Sequence, residues 1–329
     1  MNRIVRIGVL RGGPSSEHEV SLNTGANVLH VIRNNHSEKY HAHDLLIDRD
    51  GKWHIDGERR SIHEILPSVD MVFNALHGAY GEDGKVQNIL EIHGIPFSGS
   101  DSMTSAIGMN KSLSKKVFRA HGIKTPYDRV LSSQSVKENV EDVVKELFRS
   151  LILPVIVKPT SAGSSVGTSI VRDYRDLKNA LNIASEHGHE ILIEEFVPGI
   201  EATCGVIEAF RGQDLYALPP IEIRPITIGS FFDYEAKYLG KSQEIVPASF
   251  SHEIKGKIEE LAKKIHNALG LRHYSRSDFI IHPKRGIYAL EVNTLPGLTD
   301  ESLMPKALRA VGSDTHEFVD HVIQLAMKS

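Results

Sequence analysis

Apolar positions in this chain switch between a period near two and a period near 3.6, and the switches divide it into strands and helices. Ile4 to Leu10 is a β-rich run that ends at Arg11-Gly-Gly-Pro. Beyond it Val20, Val28, Leu29, Val31 and Ile32 give a helix a buried side, and Ser16 and Glu19 have capping-box spacing at its start. This is a βα unit. Glu17, at the helix start beside the carboxyl end of the strand, sits where open α/β sheets place their ligands. A further strand, Met71 to Leu76, ends at His77-Gly-Ala-Tyr-Gly-Glu-Asp-Gly84, a loop that allows close backbone approach, before a helix from about Val86 to His93.

The pattern changes after Ile95-Pro-Phe-Ser-Gly-Ser100, and a domain boundary is placed near residue 100. One helix is expected from Ser105 to His121, carrying Lys111, and another over residues 135–149. Leu153 to Pro159 is a buried strand closed by Lys158-Pro159. The small-residue loop Thr160 to Gly167 follows, with Ser164 and Ser165 at its centre, and a strand resumes at Thr168. Strand, loop, strand differs from the Walker loop, which needs GxxxxGK[ST] and then a helix. Two readings fit. The loop is a cradle over phosphates, with backbone N–H groups, serine hydroxyls and Lys158 as its donors, or it is a plain hairpin with a loose tip.

Asp176 to Glu186 reads as helix, and Glu190 to Val197 as a strand that ends in acids and breaks at Pro198-Gly199. Such a break exposes the backbone groups that adenine needs, and Glu201 just beyond it suits ribose hydroxyls. The polar stretch Gly229 to Ser242 is too long and aromatic for a featureless linker, and loops of that kind are commonly lids. A helix at 253–269 ends at Gly270, and Asp314 to Met327 is a closing amphipathic helix.

Between these helices lies a predicted hairpin, Ser275 to Gly297. With residues 283–286 as its loop, His282 opposes Ile287, Asp278 opposes Glu291 and Arg276 opposes Asn293. Tyr288, Leu290 and Val292 then form the apolar face of the second arm, and Ala289, Glu291 and Asn293 the other. Two carboxylates and a carboxamide gathered on one face are hard oxygen ligands, the donor set of a nucleotide-bound Mg2+. A salt-bridged hairpin with Arg276 neutralising the acids fits the same residues.

Composition narrows the classes. A chain of 329 residues, 40% hydrophobic and 24% charged, has core enough for two or three domains. Its net charge of −4, with basic and acidic residues interspersed, gives no field for nucleic acid. The single cysteine, Cys204, excludes an intramolecular disulfide and reads as a small core residue. No signal core or membrane-length apolar run is seen, so a cytoplasmic protein without membrane contact is expected.

Taken together, Gly12-Gly-Pro-Ser-Ser-Glu-His-Glu-Val-Ser21, Gly81-Glu-Asp-Gly84, Lys111, Lys158-Pro159, Gly163-Ser-Ser-Val-Gly167, Asp233-Tyr-Glu-Ala-Lys-Tyr238, Arg276-Ser-Asp278, Glu291-Val-Asn-Thr-Leu-Pro-Gly297 and Thr299-Asp-Glu-Ser-Leu303 resemble the D-alanine:D-alanine ligases of the ATP-grasp superfamily, end to end. The resemblance implies an α/β plus α+β chain. An N-terminal Rossmann-like substrate domain (1–100) precedes two α+β domains that clasp ATP, a central one (101–194) and a C-terminal one (195–329) carrying the metal and catalytic site. It implies ATP-dependent joining of two D-alanines through an acyl phosphate, for peptidoglycan precursors.

Roles carry over by position. Asp278, Glu291 and Asn293 would hold two Mg2+, with Mn2+ as a substitute. Lys111, Lys158 and Lys237 would neutralise phosphates, with Ser165 in the phosphate loop. Glu194, Val197 and Glu201 match the adenine and ribose positions. Glu17 would take the first ammonium, near Ser164 and Tyr238. Ser302 and the Leu303 amide would take the second carboxylate, and Arg276 with the Gly297 N–H would form the oxyanion hole. The family suggests a homodimer. The alternatives are another ATP-grasp carboxylate-amine ligase, a D-alanine:D-lactate ligase, or a nucleotide-binding regulator without chemistry.

Overall fold

The structure is a computed structural model that describes residues 3–161, 163, 166–225 and 242–328. Ser164 and Ser165 lie outside the described residues, as do residues 229–241 of the expected lid, with Lys237 and Tyr238.

Among the described residues three sheets follow one another along the chain. The first contains Val5–Gly12 (β1), Tyr40–Ile47 (β2), Trp53–Ile55 (β3), Glu58–Arg59 (β4) and Met71–Asn74 (β5), in the order β4-β3-β2-β1-β5. β1 is parallel to both β2 and β5. A parallel strand in this position is covered on both faces, so its side chains are apolar in both directions. Ile7 and Val9 meet Val28 and Ile32 of helix His18–Asn35 and Phe318 and Val322 of the last helix, Thr315–Ala326. Leu10 faces the opposite way, onto Val86 and Leu90 of helix Lys85–Ile92. The end of the chain thus shares a core with its beginning.

The capping box expected at Ser16 and Glu19 is not formed, because neighbouring serines anchor the helix instead. Glu17 occupies the N-cap position without a side-chain cap bond. The Ser21 hydroxyl accepts the Gly12 N–H at 2.8 Å and donates to the Ala75 carbonyl at 2.9 Å. The Ser15 hydroxyl donates to the His77 carbonyl at 2.7 Å. These bonds fix the helix start to the ends of β1 and β5, and the Glu17 side chain lines a cavity there. Val20 is half-buried and lines the same cavity, so the core stripe of this helix starts later than its periodicity suggests.

Asp128–Ser132 (β6), Val155–Pro159 (β7), Ser169–Val171 (β8) and Glu190–Glu195 (β9) form an antiparallel sheet ordered β6-β9-β7-β8. Helices Ser133–Phe148 and Tyr174–Ser185 cover it through Val136, Leu147, Leu177 and Leu181. The third sheet contains Ile200–Glu208 (β10), Leu215–Ala217 (β11), Ile221–Pro225 (β12), Ser242–Ile245 (β13), Tyr274–His282 (β14) and Gly286–Asn293 (β15). Its order is β13-β12-β10-β14-β15, with β11 also on β10. Helix His252–Leu269 packs behind it through Ile258, Ala262 and Ile265, and Cys204 is buried in that core, where burial pushes its thiol up.

The single helix expected from Ser105 to His121 is two, Ser102–Met109 and Lys111–Ala120. Asn110 breaks it: its backbone is extended and its side-chain oxygen accepts the N–H groups of Ser112 and Leu113 at 3.0 and 3.1 Å. An asparagine that can bond to the backbone ahead of it favours a cap over a helix interior. The break places Lys111 first in the new helix, with its N–H on the Thr160 carbonyl at 2.9 Å.

Candidate active site

The β14–β15 hairpin pairs Asp278 with Glu291 and Arg276 with Asn293, as the alternation of its residues predicts. The register is reached differently, however. Gly286, not Ile287, opposes His282, so the turn is one residue shorter than the expected 283–286 loop. A bulge between Asp278 and Phe279 then inserts Leu290 as an extra residue and restores the pairing. The expected apolar face of Tyr288, Leu290 and Val292 is therefore corrected: Ala289 and Val292 join Phe279 and Ile281 in the core, whereas Tyr288 and Leu290 pack with Ile280 and Val197 on the other face.

Asp278 is held from two sides. The Thr203 hydroxyl on β10 donates to its Oδ1 at 2.6 Å, and the Arg276 guanidinium reaches both oxygens at 3.0 and 3.1 Å. Lys111 pairs with Glu291 at 3.2 Å. The Asn293 side-chain oxygen accepts the Leu295 N–H at 2.9 Å, which fixes the start of the loop leading to Gly297.

These groups line a cavity of about 330 Å³ that also takes in Glu17, Lys158, Gly163, Glu201, Gly297, Ser302 and Leu303. Two glycines close on Glu17: a Cβ at Gly78 or at Gly163 would stand 2.5 Å from its Oε2. The carboxylate is thus enclosed by the loop after β5 and by the tip of the β7–β8 loop. At the far end Ser302 stands at the N-cap of helix Leu303–Ala310, its hydroxyl 2.7 Å from that of Thr299. The free N–H groups of such a helix start suit a carboxylate. Gly297 packs against this cap, since a Cβ there would lie 2.8 Å from the Ser302 hydroxyl oxygen.

A second cavity, about 320 Å³, opens from the first and shares Lys158, Glu201, Ile223 and Leu290 with it. It is a slot between two sheets. Ile156 and Ile170 come from β7 and β8, and Ile280 and Leu290 from β14 and β15, with Val197, Glu194 and Glu201 also in the lining. An apolar slot with carboxylates and backbone at one edge suits a flat heterocycle bearing a sugar.

Three residues of this site are given no role by the sequence, although two of them lie in the glycine-rich motif after Leu76. His77 and Glu82 line the larger cavity from the loop after β5. The His77 ring stands 2.8 Å from the Thr24 hydroxyl, and burial lowers it to about 4, so it is a neutral imidazole at physiological pH. Glu82 accepts the Gly78 N–H at 2.8 Å, and burial together with the nearby Glu17 charge raises it to about 8. The glycines of that loop signal close approach but not which side chains face inward. Lys115 is wholly buried and contacts Glu194, whose other oxygen lies 2.6 Å from Lys158. Burial and the Lys158 ammonium push Lys115 well below the ordinary lysine range.

Two antiparallel sheets gripping a slot, with paired acids on the hairpin of one and a lysine on a strand of the other, define an ATP-grasp protein. Residues 117–324 match the family model for the D-ala D-ala ligase C-terminus, and residues 6–65 and 56–100 that for the D-ala D-ala ligase N-terminus. The D-alanine–D-alanine ligase of Carboxydothermus hydrogenoformans is 37% identical over 328 residues, covering 98% of this chain and 99% of that one. The VanG D-Ala:D-Ser ligase from Enterococcus faecalis superposes with a TM-score of 0.83 at 31% identity, over 98% of this chain and 100% of its own. The D-alanine–D-alanine ligase from Bacillus anthracis complexed with ATP gives a TM-score of 0.79 at 32% identity, over 98% of both chains. The chain belongs to the D-alanine–D-alanine ligase family.

Proposed function

We propose that this protein joins two molecules of D-alanine into D-alanyl-D-alanine with cleavage of ATP to ADP and phosphate, supplying peptidoglycan synthesis. One observation carries the reading: Glu17 from the first sheet unit, Lys158 from the second and Asp278, Glu291 and Lys111 around the hairpin all face one cavity, which opens into an apolar slot. An ammonium acceptor, a phosphate-binding lysine and a pair of metal-ligating acids are the parts this chemistry needs.

The residues fit Mg2+. Asp278, Glu291 and Asn293 offer only hard oxygens, the donor set that Mg2+ takes alongside water and phosphate. Asp278, Glu291 and Asn293 would hold two ions, with Mn2+ as a substitute. The bound metal would supply positive charge to the phosphate oxygens.

The chain's own groups do the rest. ATP lies with its base in the slot beside Glu194, Val197 and Glu201, and Lys111 and Lys158 meet its phosphates. Glu17 binds the first D-alanine's ammonium, turning its carboxylate toward the γ-phosphate. That carboxylate displaces ADP to give the acyl phosphate. Ser302 and the Leu303 N–H hold the second D-alanine by its carboxylate, so that its amine faces the acyl carbon. The amine attacks, the carbonyl oxygen gains negative charge beside Arg276 and the Gly297 N–H, and phosphate leaves as the peptide bond completes. Ser164, Ser165, Lys237 and Tyr238 keep the roles that the resemblance implies.

We also assign three domains, residues 1–100, 101–194 and 195–329, a homodimeric state and a cytoplasmic location. Among the described residues no helix is long and apolar enough to cross a membrane. Purified protein given ATP, Mg2+ and a panel of D- and L-amino acids tests the function. Phosphate and dipeptide should appear together with D-alanine. Equal turnover with L-alanine, or none with any amino acid, overturns the reading.

A further inference from the structure

We infer that Lys115 is a positioning residue for nucleotide binding, acting through Glu194 on Lys158. The inference rests on the ATP-binding part of the reading above and not on the identity of the amino acid.

Glu194 and Lys158 belong to adjacent antiparallel strands. Glu194 of β9 opposes Ile156 of β7, which makes Lys158 its diagonal neighbour on the same face, within reach of a long side chain. The contact is made, at 2.6 Å. Glu194 is 1% exposed, and its other oxygen is taken by Lys115, which is 0% exposed. One desolvated carboxylate therefore lies between two amines, hydrogen-bonded to Lys115 and in close ion-pair contact with Lys158 without hydrogen-bond geometry, and only Lys158 of the two faces both cavities.

A fully buried lysine carries a desolvation cost that a leucine would not, so stability is a poor explanation for it. Its place in the helix offers a better one. Lys111 and Lys115 lie one turn apart on helix Lys111–Ala120, and residues four apart share a helix face. Lys111 pairs with Glu291 on the hairpin, whereas Lys115 pairs with Glu194 on the four-stranded sheet. One helix thus ties together the two sheets that form the slot. Without Lys115, Glu194 has one amine partner in place of two, and the carboxylate would turn and draw Lys158 away from the phosphates.

A double-mutant cycle reads this directly. The affinity for ADP with Mg2+ is measured by calorimetry for the full-length wild type, Lys115→Met, Lys158→Met and the double variant. Lys158→Met should weaken ADP binding by tenfold or more, and Lys115→Met by about tenfold, the scale of one charge-assisted hydrogen bond. The double variant should lose far less than the sum of the two single losses, because most of the effect of Lys115 passes through Lys158. In steady state, Lys115→Met should raise the KM for ATP and leave that for D-alanine unchanged. If Lys115→Met does not fold, Lys115→Gln, whose amide still donates to Glu194, carries the cycle.

Additive losses, wild-type ADP affinity in Lys115→Met, or failure of both Lys115 variants to fold would overturn the proposal. If the wild type binds ADP but ligates no amino acid, the ligase reading fails and this one is still decided by the cycle. If the wild type binds no ADP, both fall.

Discussion

Asp278 and Glu291 form a register pair across β14 and β15, and each is held by a cation of its own, Asp278 by Arg276 at 3.0 Å and Glu291 by Lys111 at 3.2 Å. Two carboxylates side by side on one sheet face repel, and these contacts offset the repulsion without filling the oxygen ligand sphere. The same two cations line the cavity where phosphate and acyl oxygens would become charged. On the proposed reading Asp278 and Glu291 would hold the metal that supplies positive charge to the phosphates, which would leave Lys111 and Arg276 for the substrate.

Glu291→Gln therefore abolishes ligation while the fold persists. A carboxamide keeps the shape of the side chain but not the negative charge assigned to metal binding, and losing an electrostatic catalyst of this kind costs on the order of 100-fold or more in kcat. Phosphate release and thermal unfolding should be measured together. Wild-type turnover at ordinary Mg2+ would make Glu291 only a member of an ion pair.

Thr203→Val isolates the orientation of Asp278. The Thr203 hydroxyl donates to Asp278 Oδ1 at 2.6 Å, and valine removes the donor at nearly constant volume. Partners that orient a metal ligand are typically worth about 10–100-fold in metal affinity. Mg2+ titrations of activity at saturating ATP should show a correspondingly higher requirement that excess Mg2+ restores. An unchanged Mg2+ requirement would show that Arg276 alone orients Asp278.

The hairpin pairing is legible in the sequence because side chains alternate with period two, so Arg276 and Asp278 must share a face and a turn must lie between them and Glu291. The pairing itself holds only because the shorter turn and the Leu290 bulge compensate, and neither has a local signature. β2 is harder to read, since Arg11 on β1 supplies the partner for its Asp44, at 2.6 Å, from 33 positions away. Lys115 hides for a related reason. One lysine four residues after another reads as a solvated helix face, and only the third dimension shows that Glu194 meets it. His77 and Glu82 sit in a loop whose glycines announce a close approach, but loops carry no periodicity that tells inward from outward.

Glu82 gives the unliganded protein a pH dependence. Its carboxyl titrates near 4.5 in an unfolded chain and near 8 in the fold, where it is buried beside Glu17 and His77, with Arg276 and Lys111 opposing the shift. Between those values the folded state keeps a proton that the unfolded state loses, so this contribution is full below pH 4.5 and is lost as pH rises through 8. Glu82→Gln cannot ionise. The two proteins should respond differently to pH, the wild type losing stability relative to the variant by on the order of 2 kcal/mol or more between mildly acidic and alkaline buffer. Urea denaturation of both proteins across that range, without substrates, measures it. A stability difference that does not change with pH would show that Glu82 is ionised in the fold.

Gly297→Ala separates the second-substrate end of the cavity from the nucleotide end. The added Cβ would come 2.8 Å from the Ser302 hydroxyl oxygen, closer than such contacts occur, so either the loop or the serine must move. Moving Ser302 breaks its 2.7 Å contact with Thr299 and shifts the start of helix Leu303–Ala310, the group of donors assigned to the second carboxylate. It also shifts the Gly297 N–H. The KM for the second D-alanine should rise about tenfold and kcat should fall, because small misplacements of positioning groups are costly, while ADP affinity stays within about twofold. Gly256→Ala is the control. Gly256 lies within helix His252–Leu269 with nothing within 4 Å of the added Cβ, and alanine there should stabilise the protein by about 0.5–1 kcal/mol without changing either KM. Kinetics with D-alanine varied over a wide range resolve its two binding events, and calorimetry reports ADP. If Gly297→Ala weakens ADP binding as much as D-alanine binding, the substitution has disturbed the whole cavity, and Ser302 is not the separate carboxylate anchor assigned to it.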